Sequence, residues 1–174
     1  MSPKNHPVLH LSTRRIRRRG EEPWPFTTRF PQLEEARSID SWINPCVDDC
    51  GNYAVTSLDE LSGLLELLPK PVAGREYYLL FTDALAHPLP PDPRLRLLGH
   101  DLSDETWTSS LLNCGDWRGP LAPIAARAGR NGLLELEDAR LAQQLLPLEW
   151  PGDPHGWVTV WALYEYLPDP DHAS

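Results

Sequence analysis

The sequence has no long apolar run, and this absence excludes a membrane span. A membrane-spanning helix needs roughly 18 to 20 consecutive apolar residues, and no stretch of the 174 residues approaches that length. A secretory signal needs an apolar core after its basic residues, whereas Arg19 is followed by Gly-Glu-Glu-Pro-Trp-Pro. We therefore expect a cytoplasmic protein without a membrane partner.

Cysteine is scarce, with only Cys46, Cys50 and Cys114. An odd number in a reducing compartment indicates free or metal-bound thiols and not disulfides. The segment 45–50, Pro-Cys-Val-Asp-Asp-Cys, invites comparison with the zinc deaminase signature. Its cysteine spacing is one residue too long, and neither His6 nor His10 is followed two residues later by the required glutamate. The sequence therefore argues against a deaminase.

Two other uses of the cysteines stay open. Cys46, Cys50 and Cys114, with His100 or His155, could form a Cys₃His zinc site. Alternatively, Cys114 could pair with one of the same histidines as a nucleophile. We expect Cys114 at a helix C-terminus, where the helix dipole raises the pKa of a thiol and disfavours the second use. Since inert buried cysteines are common, we predict no metal and no cofactor.

Recognisable catalytic motifs are also lacking. The chain has no Gly-rich phosphate loop and no Gly-x-Ser-x-Gly elbow. The cluster of His100, Asp101, Asp104 and Glu105 resembles a metal or hydrolase site only in composition, and an acidic helix N-terminus explains it as well. We therefore expect that the protein is not an enzyme.

Positive charge is concentrated at the N-terminal end. Residues 1–19 contain six Lys and Arg and no acid, whereas the whole chain has a net charge of −9, so the remainder carries −15. An acidic body repels phosphate backbones, which makes nucleic acid an unlikely partner. The same charge attracts a basic macromolecule over long range and increases its association rate.

Composition and length predict one ordinary domain. The chain is 41% hydrophobic and 24% charged, close to the average for globular proteins. Prolines and the arginine run indicate that residues 1–20 form a flexible basic arm, in front of a single domain over 21–174. Only Val8-Leu9-His10-Leu11 indicates a strand in the first 45 residues. A truncated chain starting near Glu21 is expected to fold.

Periodicity then predicts an α+β domain, a mostly antiparallel sheet of four or five strands with helices packed on one face, preceded by the Pro/Arg-rich arm. Strands are expected over 53–56, 76–82, 95–102 and 156–167, the second and last being apolar on both faces and therefore central. A capping box at 57–60 predicts a helix that ends at Pro69. Further helices are expected over 104–114, 120–128 and 137–146. Trp157 and Trp161 are predicted core residues of the last strand.

The predicted binding residues lie between Asp101 and Trp117. Loops on a folded scaffold carry most binding residues, and a tryptophan beside acids is typical of an interface anchor. We expect the partner contacts to come from Asp101, Asp104, Glu105, Asp116 and Trp117, with a second position at Asp48 and Asp49. Trp117 could instead pack back on the domain.

Three segments carry a resemblance to a known class of protein. They are Leu-Gly-His-Asp-Leu-Ser-Asp at 98–104, Leu-Leu-Asn-Cys-Gly at 111–115 and Trp-Val-Thr-Val-Trp-Ala-Leu at 157–163. With them, roughly the C-terminal half of the chain resembles immunity proteins encoded beside secreted bacterial toxins of the polymorphic or type VI kind. The resemblance implies a cytoplasmic α+β inhibitor that neutralises one cognate toxin, expected to be basic, by direct binding. The alternative is a small cytoplasmic enzyme or zinc-binding protein that uses Cys114 with His100 or His155.

Overall fold

The chain forms a five-stranded antiparallel sheet in a computed structural model, which describes residues 8–22, 24–26, 30–49, 51–114 and 116–169. The strands are β1 (Leu9–Arg15), β2 (Arg17–Arg18), β3 (Glu35–Ala36), β4 (Tyr53–Val55), β5 (Glu76–Asp83), β6 (Leu95–Ser103) and β7 (Thr159–Tyr166). The sheet has the order β4-β1-β5-β7-β6, and β2 pairs separately with β3. The predicted α+β fold is confirmed. β5 and β7 are central, as their two apolar faces require.

Alternation along the strands gives the sheet two different faces. On one face, which we call the helix face, Leu9, Leu11 and Leu80 pack against Leu61, while Val160 and Ala162 pack against the other helices. On the opposite face, which we call the loop face, Leu79, Phe81 and Leu163 pack against Ile39 and Leu133 from irregular segments. The helices therefore lie on one face, as predicted, and loops cover the other.

Within the described residues, the α-helices are α1 (Leu61–Leu65), α2 (Ala122–Ala126) and α3 (Leu136–Glu149). Short 3₁₀ turns at Leu58–Glu60 and Gly119–Leu121 lead into α1 and α2. α1 is shorter than predicted, and the Glu60 carboxylate accepts hydrogen bonds from the N–H and hydroxyl of Thr56 and not from Ser57. α3 continues past Leu146 with Pro147 in its last turn. In the described part of the chain, no helix combines the length and apolarity needed to cross a membrane.

The prediction of a flexible arm over residues 1–20 is wrong for the strand residues within it. β1 is an inner strand that pairs with β4 on one side and with β5 on the other. Leu9 and Leu11 are fully buried on the helix face. The alternating Leu-His-Leu-Ser pattern supplies this apolar face, and it outweighs the charges that follow it. The first seven residues of the predicted arm lie outside the described part.

The arginines of the basic run bind the protein's own backbone. Arg14 donates from Nη1 to the Asn44 carbonyl at 2.8 Å, and Arg19 donates from Nη2 to the Pro31 carbonyl at 2.7 Å. Arg17 donates from Nε to the Ile43 carbonyl at 3.2 Å. These contacts fasten segment 31–44 to β1 and β2. They explain why a run with the composition of a solvated tail is ordered instead.

Residues 104–114 do not form the predicted helix. The Asp104 carboxylate accepts hydrogen bonds from the backbone N–H of Thr106 at 2.9 Å and of Thr108 at 3.2 Å. Trp107 has a φ of 64°, which an α-helix excludes. An aspartate that bonds to nearby backbone groups offers the chain an alternative to helical hydrogen bonds, and here that alternative is the one formed.

Candidate functional site

Three loops meet beside the ends of β6 and β7. They comprise residues 38–44, 101–117 and 149–157, and we call them the acidic loops. Asp40 Oδ2 accepts hydrogen bonds from the Ser109 N–H at 2.9 Å and from the Asn113 side chain at 2.8 Å. His155 Nδ1 contacts the Asp104 carboxylate, and the Ser110 hydroxyl donates to the His155 carbonyl at 3.2 Å. Side chains therefore hold segments that are distant in sequence as one surface.

The acidic loops contain seven carboxylates and no lysine or arginine. The acids are Asp40, Asp101, Asp104, Glu105, Asp116, Glu149 and Asp153. The pKa of the Cys114 thiol is raised to about 11. Burial is the largest cause, and the negative charges of Asp104, Asp40 and Asp153 add to it. This end of the molecule is therefore electronegative at neutral pH.

Asp101 lies inside the site and not on its surface, with 2% of its area exposed. One carboxylate oxygen accepts from the Ser38 hydroxyl at 2.5 Å and the Ile39 N–H at 3.2 Å, and the other from the Ser109 hydroxyl and the Leu102 N–H, each at 2.8 Å. Burial raises its pKa to about 6, against the effect of these hydrogen bonds. The prediction that Asp101 contacts a partner is wrong, and its role is to position the loops.

The other predicted acids differ in exposure. Asp104 has a mostly buried carboxylate; burial opposes ionisation, but hydrogen bonds, chiefly from Thr106, Thr108 and His155, lower its pKa. Glu105 is exposed. Asp116 is also exposed and pairs at 2.7 Å with Arg118, which lies just beyond the acidic loops. Of these three acids, Glu105 is the one that is exposed and has no ion pair among the described residues.

Two tryptophans exchange the places that the sequence predicted for them. Trp117 is only 9% exposed, packs in the core and donates its indole N–H to the Ser110 carbonyl at 2.9 Å. It cannot anchor a partner without leaving the core, so that prediction is wrong. Trp157, a predicted core residue, is 70% exposed because β7 begins only at Thr159. The turn residues Asp-Pro-His-Gly before Trp157 are the signal that could have shown this.

Trp42 is a second exposed aromatic that sequence reasoning missed. It is 56% exposed and lies in the first of the acidic loops. The Arg17 guanidinium lies 5.7 Å from the centre of its ring and donates from Nη2 to the Trp42 carbonyl at 3.2 Å. One face of this indole is therefore already occupied by a cation of the same chain.

At the second predicted position, Asp48 and Asp49, no hydrogen bond or ion pair between described side chains joins Asp48 to the acidic loops. Both residues lie in the 3₁₀ turn Val47–Asp49, where Asp48 is exposed and has a φ of 52°. The preceding Cys46 pairs with Arg14 of β1. The side chain of Asp49 and the whole of Cys50 lie outside the described residues.

The thiol and histidines of the enzymatic alternative are not assembled into a nucleophile. His100 is buried at the edge of β6, with Nδ1 3.1 Å from the Leu134 carbonyl, and burial lowers its pKa. His155 contacts Asp104, and no hydrogen bond between described residues joins the Cys114 thiol to either histidine. Within the same part of the chain, no group of three His, Cys, Asp or Glu side chains has a geometry that could hold a metal ion.

A cleft of about 680 Å³ lies elsewhere, between the β2–β3 pair and segment 127–135. Its charged lining consists of three arginines and three glutamates, Arg18, Arg127, Arg130, Glu34, Glu35 and Glu135. The charges balance, so this cleft lacks the single-sign character of the acidic loops.

Comparisons with known proteins give no further guide to this surface. No protein-family model, no curated protein and no solved structure matches the chain. Function is therefore inferred from the residues and their geometry.

Proposed function

We propose that this protein is a non-catalytic binding protein that neutralises a basic protein, a cognate bacterial toxin, by covering it with the acidic loops. The proposal agrees with the resemblance of the C-terminal half to immunity proteins. It makes the protein an inhibitor whose surface, and not a reaction centre, carries the function.

The observation that supports this proposal is that the three acidic loops, which are held together by hydrogen bonds, are rich in carboxylates and lack lysine and arginine. Seven carboxylates and no lysine or arginine occur in these loops, whereas six of the 16 lysine and arginine residues fall within the first 19 positions. At least three of those six, Arg14, Arg17 and Arg19, are bound to the chain's own carbonyl groups. Arg14 and Arg17 lie against segment 38–44, whereas segments 101–117 and 149–157 carry six of the seven carboxylates and no lysine or arginine, so the anionic surface lies chiefly on those two segments.

The loops are also held in place before any partner arrives. Asp40 and Asp101 together accept seven hydrogen bonds, of which four fasten segments 38–44 and 101–117 to each other and three lie within one segment. A preorganised surface loses little conformational entropy on association. Negative potential attracts a basic partner over long range and disfavours partners of the wrong charge. Both properties suit an inhibitor that must capture its target quickly.

The test is calorimetric binding of the full chain to the protein encoded next to its gene, which is where the resemblance to immunity proteins leads us to expect the toxin. Glu105→Lys reverses a charge within the acidic loops, and Glu66→Lys makes the same change at an exposed residue beyond α1. We expect Glu105→Lys to weaken binding by about tenfold or more at low salt, with a smaller loss at high salt. Glu66→Lys should change the affinity by less than about threefold.

Equal effects of the two charge reversals would contradict the proposal, because net charge and not the acidic loops would then control binding. An affinity that does not respond to salt would contradict it as well. Both variants should keep the wild-type melting temperature, since neither residue is buried.

A further inference from the structure

Trp157 combines exposure with a fixed backbone. The 3₁₀ turn Pro154–Gly156 precedes it, and the Asp153 carboxylate caps this turn by accepting from the His155 N–H at 2.9 Å. The Trp157 N–H donates to the Pro154 carbonyl at 3.2 Å. Gly156 is buried so closely that an added Cβ would lie 3.3 Å from the carbonyl oxygens of Leu146 and Trp150. The large apolar ring is therefore presented to solvent by a segment that has little freedom to move.

The charges near Trp157 favour one kind of binding partner over others. Asp153 belongs to the same turn, and Glu105 adjoins Asp104, whose carboxylate contacts His155. A second copy of this chain would bring like charges together, and a nucleic acid or an anionic membrane would be repelled in the same way. These carboxylates therefore favour contact between Trp157 and a cationic side chain of a protein partner.

The protein's own arginines show which cation fits a ring of this kind. Arg17 lies over Trp42, and Arg37 lies over Tyr77 with its guanidinium carbon 4.2 Å from the ring centre. A guanidinium is planar and weakly hydrated, so it stacks on an aromatic face more readily than an ammonium group does. Trp157 has no comparable ring contact among the described residues.

We propose that the indole of Trp157 stacks against an arginine side chain of the partner, while the carboxylates of Glu105 and Asp153 balance its charge. This inference rests on the proposed function and deepens it, because it names the anchor residue and the chemistry of the group it receives. Trp157 thereby becomes the determinant of a preference for arginine over lysine at the interface.

The test uses capped octaarginine and octalysine peptides as probes of the full-length chain labelled with 5-fluorotryptophan. In ¹⁹F NMR titrations at low salt, the resonance of Trp157, assigned through Trp157→Phe, should shift while that of the buried Trp117 stays in place. Octaarginine should bind about threefold or more tightly than octalysine. Trp157→Ala should abolish this preference and retain salt-dependent binding of both peptides. Tyr53→Ala, at an exposed aromatic outside the acidic loops, is the control and should keep the preference.

The outcomes separate the two proposals. If both peptides bind and Trp157→Ala keeps the preference for arginine, this inference is overturned and the acidic loops stand as the binding surface. If neither peptide binds, or if Glu105→Lys leaves their affinity unchanged, the proposed function falls together with this inference. Melting curves for each variant show whether the fold is intact.

Discussion

The Ser38 hydroxyl donates a hydrogen bond of 2.5 Å to the carboxylate of Asp101, which is 63 residues away in the sequence. This contact connects the segment that crosses the loop face to the end of β6. With Ser109, it makes Asp101 the junction of two of the three acidic loops. A buried carboxylate without a cationic partner in the described structure makes the stability of this junction dependent on pH.

Asp101→Asn should remove one component of the pH dependence of the free energy of unfolding. The folded state raises the pKa of Asp101 to about 6. Its contribution to stability is therefore complete below the ordinary pKa near 4 and is lost as the pH rises to about 6. Between about pH 3 and pH 7 the free energy of unfolding of the wild type should fall by about 3 kcal/mol relative to that of the variant. Denaturant melts at several pH values measure this difference.

The wild type must be compared with Asp101→Asn because other acids also make stability depend on pH. Hydrogen bonds and ion pairs lower the pKa of Asp92, Asp104 and Asp138, so their contributions to stability increase with pH, opposite to that of Asp101. A difference that stays constant from pH 4 to pH 7 would show that the pKa of Asp101 is not raised in the folded protein.

β1 should be essential for folding, although it lies within the residues that the sequence assigned to an arm. Leu11→Ala removes a fully buried side chain between β4 and β5 and should cost about 2–5 kcal/mol of unfolding free energy. Val8→Ala, at an exposed position just before the strand, should cost less than about 1 kcal/mol. A chain starting at Glu21 should show no cooperative melt. A cooperative melt of that chain would mean that the sheet forms without β1.

Arg14 should stabilise the fold through its shape as well as its charge. It is 1% exposed, and its guanidinium donates to the Ser12 hydroxyl, the Asn44 carbonyl and the Asn52 side chain at 2.8–2.9 Å. Arg14→Lys keeps the charge but cannot reproduce three divergent contacts, so we expect both it and Arg14→Ala to cost about 2 kcal/mol or more. Arg96→Ala, which breaks an exposed pair with Glu165, should cost less than about 1 kcal/mol. Similar losses at the two sites would refute this role of Arg14.

The two tryptophans should respond to alanine in opposite ways. Trp117→Ala empties a core position and removes the hydrogen bond to Ser110, and it should cost about 3–5 kcal/mol. Trp157→Ala should change the free energy of unfolding by less than about 0.5 kcal/mol, because the ring is exposed. Chemical denaturation of the two variants, side by side, checks both values. If Trp157→Ala were the more destabilising variant, Trp157 would be the core residue and Trp117 the exposed one, as the sequence predicted.

Cys114 should be an unreactive thiol. Burial and the surrounding carboxylates raise its pKa to about 11. At pH 8 its alkylation by iodoacetamide should therefore be about a hundredfold slower than that of a free thiol, and the rate should still be increasing at pH 9. Peptide mass spectrometry distinguishes Cys114 from the other two cysteines. A rate that reaches a plateau near pH 7 would instead indicate an activated nucleophile and favour the enzymatic alternative.

The sequence by itself determined the elements whose burial follows from the apolar pattern of their own residues. β5 and β7 are each eight residues long with apolar residues on both faces in their middle parts, so they had to be buried strands, and their places between other strands follow. α3 was predicted from its apolar spacing within a few residues at each end. The excess of acid over the C-terminal half was also visible, and with it the electronegative character of the candidate site.

Only the tertiary structure decided which of the polar and aromatic side chains face solvent. Asp104 could cap a helix or hold a turn, and its contacts with Thr108 and with His155, 51 residues away, settled the matter. Trp117 and Trp157 have similar local surroundings, each within two residues of a glycine and within four of an acid, but only one meets a core that accepts it. The arginine run became part of the fold because carbonyl groups 11 to 30 residues away point at it. Local pattern determines what a segment can form, and partners distant in the sequence determine which of its groups are buried.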